Sequence, residues 1–426
     1  MRMLRLRAYY EPEQTAAAHL DRNLSEALAE NKVFCVNYTP TPTRGVSKDV
    51  YQEYRKKEKK TELDYGGYMI INRFSMFREH RNPIQRLFRY VVCGIKEYQL
   101  GTKAKDIDLV FSSSTPPTQG MLSAMVAQKL SRKYGRKVPF VYNLQDIFPD
   151  SLITAKMTKQ GSLVWKVGNK IANSTYRMAD KIIVISQDFK DNLIKKGVTE
   201  EKIVIVPNWI DSNEVYPVLK SENPLFDRFG LAREYFYICY SGNIGHSQNI
   251  DLLLNAAHII QNENENIVFL VIGEGAEKTY LCTEIEKRCL RNIKVFPFQP
   301  YEDIANVYSL GDVDLIISKK GTGGSSVPSK TWSIMAAERP IIASFDADSE
   351  LADIIKELEC GVCSDADDVE AFVNAINELY QEEDKRMLYG KNGRDYVEHF
   401  LSKEECTQKY IDIFMQESSK PINQKS

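Results

Sequence analysis

Short apolar runs alternate with amphipathic segments throughout the first half of the chain. The runs are rich in β-branched residues and mostly bounded by polar or turn residues, which is typical of short buried strands. The predicted strands are residues 3–8, 32–38, 108–112, 140–144, 181–186 and 202–207. The predicted helices between them are residues 15–30, 119–134 and 187–196. This alternation predicts βαβ units around a buried parallel sheet.

The second half repeats the alternation and then becomes helical. The predicted strands are residues 236–241, 268–272, 294–298, 315–318 and 340–344. The predicted helices are residues 250–261, 276–290, 301–308, 329–337, 349–358, 369–380, 385–398 and 403–415. A polar stretch from Pro207 to Pro224 has the composition of a linker. We therefore expect an N-terminal domain over 1–215, a C-terminal domain over 216–400 and a terminal helix and tail over 401–426.

The predicted fold class is α/β, with two Rossmann-like sheets in one chain. Open sheets of this kind bind ligands beyond the C-terminal ends of their strands. If both sheets point those ends inward, the cleft between them is a site for two substrates.

Composition narrows the class of protein, and charge adds a difference between the two halves. Apolar residues make up 43% and charged residues 27% of the 426, which excludes disordered, collagenous and disulfide-scaffold proteins. No apolar run is long enough to span a membrane, and no signal peptide is expected. The net charge is −2, but residues 1–220 carry 36 basic and 23 acidic side chains (+13), and the remainder carries 20 and 35 (−15). This asymmetry suggests two surfaces with different partners.

The cysteines and histidines do not form a metal-binding pattern. Cys360 and Cys363 form the only C-x-x-C pair, and the five histidines are scattered. We expect reduced thiols, no metal and no cofactor. The sequence also lacks a nucleotide-binding P-loop and the G-x-S-x-G turn of serine hydrolases.

Glycine-bearing turns after the strands of the second half are the candidate phosphate sites. They begin at Gly242 and Gly273 and in the segment 321–330, which ends in Lys330. Glycine lets backbone N–H groups approach a phosphate, and a nearby lysine adds positive charge. A single turn of this kind is more often an ordinary loop, but several on one sheet edge favour a phosphate site. Gly273-x-Gly275 lacks the third glycine of a dinucleotide fingerprint.

Two features of the first half have alternative interpretations. Gln145 and Asp146 end a predicted strand, where such folds keep functional groups, although Asp146 could simply cap the next helix. Residues 73–90 hold five arginines among aromatic and aliphatic residues, downstream of a basic run at 55–60. That profile is typical of a segment on an anionic membrane surface, or of a solvated helix face. No nucleic-acid fold signature accompanies it, so no nucleic-acid partner is expected.

As an ordered set, seven segments resemble the retaining glycosyltransferases of family 4, which have the GT-B fold of two facing Rossmann-like domains. The segments are residues 145–151, 240–249, 271–275, 296–300, 311–315, 327–330 and 335–343. More narrowly, they resemble the branch that builds capsular or O-antigen polysaccharide, including N-acetyl-L-fucosamine transferases. The resemblance covers roughly residues 1–400.

The resemblance implies roles for particular residues. Lys330 and Asp146 are the candidate catalytic residues. The implied donor-binding residues are Ser241, Gly242, Asn243, Gln248, Gly273, Gly275, Phe298, Gln299, Gly323, Gly324, Ser325, Ser326, Val327, Ser329 and Lys330. The implied acceptor-side residues are Gln14, Thr15, Ala16, Gln145 and Asp146.

The chain also departs from the family pattern. Asn243 and Gln248 stand where many members have arginine and lysine, which leaves Lys330 as the natural source of positive charge. The usual pair of glutamates falls on Ser325 and Ser333. Gln145 stands where many members keep a histidine, and Glu338 replaces the usual small glycine.

The expected function is retaining transfer of a sugar from a nucleotide-diphosphate donor, with uridine as the expected base. The expected acceptor is a polyprenyl-diphosphate-linked saccharide of bacterial surface polysaccharide synthesis. The expected location is cytoplasmic and peripheral, on the inner face of the plasma membrane, through the basic region 55–90. Two alternatives are a GT-B-fold nucleotide-sugar 2-epimerase and a non-catalytic module with the same fold.

Overall fold

Residues 1–13, 18–58, 60–79, 83–154, 158–321 and 327–420 of the computed structural model are described below. They form two compact units. One comprises Met1–Pro207 together with the chain from Cys406 onward, and the other comprises Asn208–Glu405. Each unit is built on its own sheet, so the predicted α/β class with two Rossmann-like parallel sheets is confirmed.

The first unit contains an eight-stranded sheet in the order β3-β4-β2-β1-β5-β6-β7-β8. Its strands are β1 (Arg2–Leu6), β2 (Phe34–Pro40), β3 (Thr61–Asp64), β4 (Met69–Phe74), β5 (Leu109–Ser113), β6 (Phe140–Leu144), β7 (Lys181–Val184) and β8 (Ile203–Ile205). The edge strand β3 is antiparallel to β4, and the other neighbours pair in parallel. The sequence pattern missed β3 and β4 because their polar and charged residues interrupt the apolar run.

Helices cover the faces of this sheet. They are α1 (Ala18–Glu30), α2 (Lys48–Arg55), α3 (Pro83–Gly101), α4 (Gln119–Tyr134), α5 (Asp150–Thr154), α6 (Leu163–Met178) and α7 (Gln187–Lys195). The last helix, α16 (Lys403–Ser419), places Phe414 4.9 Å from Phe111 between ring centres. This aromatic contact anchors the C-terminal helix to the first unit.

The second unit contains a six-stranded parallel sheet in the order β11-β10-β9-β12-β13-β14. Its strands are β9 (Phe236–Ser241), β10 (Ile267–Ile272), β11 (Ile293–Phe296), β12 (Val313–Ile317), β13 (Ile341–Phe345) and β14 (Gly361–Asp365). Every residue of β9, β10, β12 and β13 is buried, as expected for parallel strands covered on both faces. The pattern missed β14, in which Cys363 lies. The eight cysteines, all within the described residues, form no disulfide bond.

The helices of this unit close both faces of its sheet. They are α8 (Leu225–Phe229), α9 (Ile250–Glu263), α10 (Lys278–Lys287), α11 (Ile304–Tyr308), α12 (Lys330–Ala336), α13 (Glu350–Leu358), α14 (Val369–Gln381) and α15 (Glu383–Phe400). Local capping sets several of their starts: the side chain of Asn249 accepts a bond from the backbone N–H of Leu252, 3.1 Å away. The loop from Gly242 therefore runs on to residue 249 before a helix begins.

Candidate functional site

The predicted donor segments follow adjacent strands of the second sheet. Gly242 follows β9, Gly273 follows β10, and Phe298 lies just beyond β11. These three strands are neighbours, and parallel strands end at the same edge. The topology therefore brings the segments together at the carboxyl edge, where α/β sheets bind their ligands.

Two glycines at this edge let neighbouring loops pack against each other. A Cβ at Gly273 would overlap the carbonyl oxygen of Gly242, and a Cβ at Gly275 would overlap that of Ile244. The backbone also pairs there, because the N–H of Ile244 donates to the carbonyl of Glu274 at 2.9 Å. Gly273 and Gly275 thus hold the edge together through backbone packing.

Gly242 differs from them because the nearest neighbour of a Cβ there is the flexible side chain of Lys330 and not a backbone carbonyl. Its φ is +135°, in a region that favours glycine, and a Cβ there would lie 3.1 Å from Nζ of Lys330. The ammonium group of Lys330 therefore sits directly against the first turn after β9. The structure thus joins two predicted donor residues that lie far apart in sequence.

The ammonium group of Lys330 lies over an aromatic ring. Its Nζ lies 3.8 Å from the centre of the Tyr240 ring. Burial lowers the pKa of Lys330 to about 7, and this effect outweighs the attraction of Asp314 and Cys239, which raises it. Lys330 thus titrates near neutral pH, so an anionic ligand that arrives here can decide its charge.

Asn243 and Gln248 shape the loop after β9. The hydroxyl of Tyr240 donates to the carbonyl of Asn243 at 2.6 Å, and Oε1 of Gln248 accepts the N–H of Gly245 at 3.0 Å. Neither side chain brings a charge to the edge. Lys330 is the predicted donor residue that brings a charge to this edge.

The remaining predicted donor residues are distributed around this edge. Ser241 is buried at the end of β9, and Phe298 is 67% exposed. The side chain of Gln299 donates to the carbonyl of Pro297 at 2.8 Å. Val327 is partly buried and Ser329 is exposed, just before α12. Four predicted donor residues lie outside the described residues: Gly323, Gly324, Ser325 and Ser326.

In the first unit, Gln145 and Asp146 follow β6 at the carboxyl edge of the first sheet. Asp146 is exposed and accepts a hydrogen bond from the hydroxyl of Ser151 at 3.2 Å, just inside α5. The N–H of Gln145 donates to Ser114 Oγ at 3.0 Å. Three predicted acceptor-side residues lie outside the described residues: Gln14, Thr15 and Ala16.

The basic segment at 73–90 is in part a buried charge network, which the sequence interpretation did not anticipate. Arg73 lies in β4 and is 4% exposed, and its Nε donates to Glu62 at 2.8 Å. Arg89 is fully buried, 3.6 Å from Glu79 and 3.8 Å from Glu13. These two arginines neutralise internal carboxylates and are not available to an external partner.

One buried charge in the second sheet was not predicted from the sequence. Asp314, the second residue of β12, is 1% exposed, and neither carboxylate oxygen has a hydrogen-bond partner. Burial raises the pKa of Asp314 well above its usual value, and the attraction of Arg339 and Lys330 opposes this rise. The only signal in the sequence was a charged residue inside the apolar run Val313–Ile317.

Two structural features are absent from the described residues. No helix among them is both long and apolar enough to cross a membrane. No group of three or more histidine, cysteine, aspartate or glutamate residues among them is arranged to hold a metal ion.

Family models match both halves of the chain. The model described as Glycosyl transferases group 1 matches residues 222–396, and the model described as Glycosyltransferase Family 4 matches residues 21–214. The boundary between the two matches lies close to the boundary between the compact units.

Curated relatives are similar over much of the chain. The Escherichia coli K12 protein named "Putative colanic acid biosynthesis glycosyl transferase WcaI" is 26% identical over 64% of this chain and 66% of that protein, just under two thirds of its length. "Probable glycosyltransferase WbjE" of Pseudomonas aeruginosa is 26% identical over 70% of this chain and 71% of that protein.

Solved structures extend the likeness to the whole fold. Sucrose-phosphate synthase from Thermosynechococcus elongatus has a TM-score of 0.73 at 16% identity, over 97% of this chain and 98% of that one. Anabaena Alr3699/HepE, solved in complex with UDP, has a TM-score of 0.71 at 15% identity, over 98% of this chain and 100% of that one. At these identities the likeness establishes the GT-B fold.

Proposed function

The chain belongs to the GT-B glycosyltransferases of the group 1 and family 4 type, and we propose that it transfers a sugar from a uridine-diphosphate donor to a polyprenyl-diphosphate-linked saccharide. The observation that carries this proposal is the ammonium of Lys330 against the Gly242 turn at the carboxyl edge of the second sheet. The similar Anabaena protein was solved with UDP, and the E. coli relative is named for colanic acid biosynthesis. The Anabaena complex supports a nucleotide donor, and the name of the E. coli relative supports a surface polysaccharide product.

The proposed sugar transfer requires mainly the stabilisation of negative charge. As the bond between the sugar and the diphosphate breaks, charge grows on the departing phosphate oxygens. A fixed positive group in a site that excludes water stabilises that charge more in the transition state than in the ground state. Lys330 fits this role because its side chain is partly buried and its pKa of about 7 can rise when an anion binds. We propose that no resident metal takes part, so transfer is expected to survive excess EDTA.

The nucleoside end of the donor is proposed to lie near β11. Phe298 and Gln299 lie just beyond this strand, and Phe298 presents an exposed ring. Main-chain groups near them would read the base. The turn that ends in Val327, Ser329 and Lys330 would hold the diphosphate.

The acceptor is proposed to meet the first unit at the carboxyl edge of its sheet. Asp146 follows β6 there and is exposed, with one contact from the Ser151 hydroxyl. It would position the acceptor hydroxyl or take its proton. We propose that the sugar is transferred with retention, and the anomeric configuration of the product by NMR tests this point.

We further propose that the protein works at the inner face of the plasma membrane through the surface of α3 and the basic residues before it. Since Arg73 and Arg89 are buried, the exposed cations that remain include Arg55, Lys56 and Lys60. Helix α3 adds an exposed apolar stripe that includes Leu87, Phe88, Val91 and Ile95. A basic and apolar surface of this kind favours anionic lipid.

Vesicle flotation tests the membrane proposal. Binding to phosphatidylglycerol vesicles is expected to exceed binding to phosphatidylcholine vesicles and to fall in Phe88→Asp. Leu219→Asp is the matched control, because Leu219 is 65% exposed in the other unit. Equal binding to both lipids, or equal loss in both variants, would count against a membrane surface on α3.

A donor screen tests the activity itself. Thermal shift across uridine, guanosine and thymidine diphosphate sugars should raise the melting midpoint for the true donor, because such a ligand binds only the folded state. The best donor is then incubated with and without a lipid-linked acceptor. Transfer that requires the acceptor supports the proposal, an epimer formed without acceptor indicates a 2-epimerase, and no nucleotide binding indicates a non-catalytic module.

A further inference from the structure

A groove in the first unit is lined by residues outside the predicted donor and acceptor sets. It has a volume of about 630 Å³ and runs between α6 and the segment from Lys196 to Lys202, which links α7 to β8. That volume is within the range of small-molecule sites. None of the described residues that line it is acidic, and five are cations: Lys166, Lys170, Arg177, Lys196 and Lys202. The groove therefore has the charge of a site for an anion.

Three of the five cations have no carboxylate partner. Lys196 is paired with Asp150, and Lys202 donates to backbone carbonyls at the end of α6. No ion pair between described residues involves the other three, which are exposed: Lys166, Lys170 and Arg177. They are spaced four and seven residues apart, so they lie along one face of α6. Their charges are therefore available to a ligand.

Two polar atoms in the groove also lack partners. The indole N–H of Trp165 and the amide oxygen of Asn173 are buried, and neither has a hydrogen-bond partner among the described residues. A buried polar group without a partner costs free energy. A phosphate oxygen would accept from the indole, and a hydroxyl of the same ligand would donate to Asn173. A glycerol phosphodiester carries both kinds of group.

An exposed apolar surface on α6 adjoins the cations. The side chains of Leu163, Val164 and Val167 are all more than half exposed. Residues three or four apart on a helix are neighbours, so Leu163 lies beside Lys166 and Val167 lies beside Lys170. A soluble anion would gain nothing from these apolar side chains. A lipid suits the whole surface, because it carries a phosphate and hydrocarbon together.

The groove belongs to the same helical layer as α3. A Cβ at Gly94 of α3 would lie 3.9 Å from Leu122 of α4, and Gly120 of α4 lies against Thr175 of α6. Helix α4 therefore packs between α3 and α6. An exposed apolar side chain on α4 itself is that of Met125. Exposed apolar side chains thus occur on all three helices of this layer, which favours a lipid as the occupant.

We propose that the groove along α6 binds the phosphate headgroup of an anionic phospholipid, while Leu163, Val164 and Val167 enter the hydrocarbon beside it. Trp165 stands between the apolar and cationic residues of α6, which matches the preference of tryptophan for the membrane interface. The site goes beyond the proposed sugar transfer, because it requires neither a donor nor an acceptor. It is also separate from the proposed membrane surface on α3.

Tryptophan fluorescence tests the occupancy of the groove. The chain has three tryptophans, and Trp209 and Trp332 are buried in the second unit. Phosphatidylglycerol vesicles that carry a spin label on a fraction of their headgroups should quench the fluorescence of Trp165. Trp165→Phe should lose this quenching and retain the emission of the other two. Vesicle-bound wild type without quenching, or equal quenching in Trp165→Phe, would overturn the inference.

Removal of charge tests the cationic face. The double variant Lys166→Gln with Lys170→Gln is expected to bind phosphatidylglycerol vesicles roughly tenfold more weakly or less still, because each cation near an anionic surface contributes to binding. Lys356→Gln with Lys391→Gln is the matched control, since it removes the same charge from exposed positions of the second unit. It should bind as the wild type does. Equal losses in both double variants would indicate an effect of net charge alone and overturn the site.

A variant of the apolar surface gives an independent measurement. Leu163→Asp changes a largely exposed side chain, so the melting midpoint should stay close to that of the wild type. Its binding to phosphatidylglycerol vesicles should fall, because the new carboxylate opposes entry into hydrocarbon. Vesicle binding equal to that of the wild type would overturn the inference.

Calorimetry with inorganic phosphate separates a lipid from a soluble anion. Inorganic phosphate at concentrations that match the vesicle phosphate should give no saturable binding. Phosphate binding that the Lys166 and Lys170 double variant loses, together with no binding to vesicles, would assign the groove to a soluble anion and overturn the lipid proposal.

The same vesicles separate this inference from the proposed surface on α3. If Phe88→Asp binds vesicles as the wild type does and the Lys166 and Lys170 double variant does not, the α3 surface is wrong and the groove is supported. The opposite result would overturn the groove. A failure to transfer sugar would affect neither outcome, because no nucleotide or acceptor is present.

Discussion

The ammonium group of Lys330 lies 3.8 Å from the centre of the Tyr240 ring, directly beside the glycine turn that follows β9. The ring replaces water on one side of the charge, and attraction between a cation and an aromatic face offsets part of the lost hydration. The hydroxyl of Tyr240 is held by the carbonyl of Asn243. The Tyr240 ring that lies against the Lys330 ammonium is thus itself held in place by a hydrogen bond to the backbone.

Removal of the Lys330 ammonium should impair transfer. Lys330→Ala is expected to lower the turnover rate by about 10²- to 10³-fold, the size of effect seen when one donor to a developing oxyanion is lost. Lys330→Arg keeps the charge in a bulkier form and should retain more activity than alanine. The check is initial rates with the confirmed donor and acceptor, and near-wild-type turnover of the alanine variant would refute the role.

Donor binding should depend on pH near neutrality. Because the pKa of Lys330 is lowered to about 7, the free protein loses this charge as pH rises above 7, so binding must then take up a proton. Affinity for UDP is therefore expected to fall above pH 7, with a slope that approaches tenfold per pH unit.

The matched control for the pH dependence is Lys330→Arg. The ionisation of UDP affects the pH profiles of both proteins equally, but the arginine side chain in Lys330→Arg keeps its positive charge throughout this range. Isothermal titration of both proteins from pH 6 to pH 9 gives the comparison. Parallel profiles would mean that Lys330 does not titrate in this range.

Asp146 should affect catalysis and not donor binding. It belongs to the first unit, whereas the proposed donor residues belong to the second. Asp146→Asn is expected to lower the transfer rate while leaving the UDP dissociation constant unchanged. Asp150→Asn is the nearby control, because Asp150 is engaged with Lys196. Wild-type rates in Asp146→Asn would remove Asp146 from the candidate site.

Gly273 should contribute to the stability of the second unit. In Gly273→Ala the new methyl group would overlap the carbonyl of Gly242, so the two loops must separate. We expect a loss of at least about 1–3 kcal/mol in the free energy of unfolding, the range for overpacking. Gly94→Ala is the control, since its Cβ would meet Leu122 at an ordinary 3.9 Å. Urea unfolding measures both, and equal stability would contradict the packing role.

Arg89 should act on stability. In Arg89→Met, the buried carboxylates of Glu13 and Glu79 lose a positive partner, and removal of one member of a buried pair costs about 3–5 kcal/mol. Lys60→Met, at an exposed site, should change the free energy of unfolding little. Denaturant unfolding gives the comparison. A near-neutral Arg89→Met would place that arginine back on the surface, as the sequence pattern first indicated.

The sequence by itself determined the order of most elements and indicated the carboxyl edge of the second sheet as the candidate donor site. Residues 236–241 and 140–144 were predicted with the bounds the structure shows, because continuous apolar runs between turn residues have few other ways to be buried. Gly242, Gly273 and Lys330 could be chosen because glycine turns after parallel strands fall at one edge whatever the details of packing. The sequence pattern did not predict strands β3 and β4, because hydrogen bonding and position in the sheet, rather than an apolar pattern, define them.

Only the tertiary structure determined which charged side chains are buried and which groups lie beside them. Charged residues are normally exposed, so the sequence placed Arg89 on a surface and gave no role to Asp314. Folding buried both of them, one among carboxylates and the other beneath the donor edge. The physical reason is that the cost and effect of a charge depend on the groups within a few ångströms of it, and those groups come from distant parts of the chain. The pattern of residues therefore located Lys330, while burial beside the Tyr240 ring lowered its pKa.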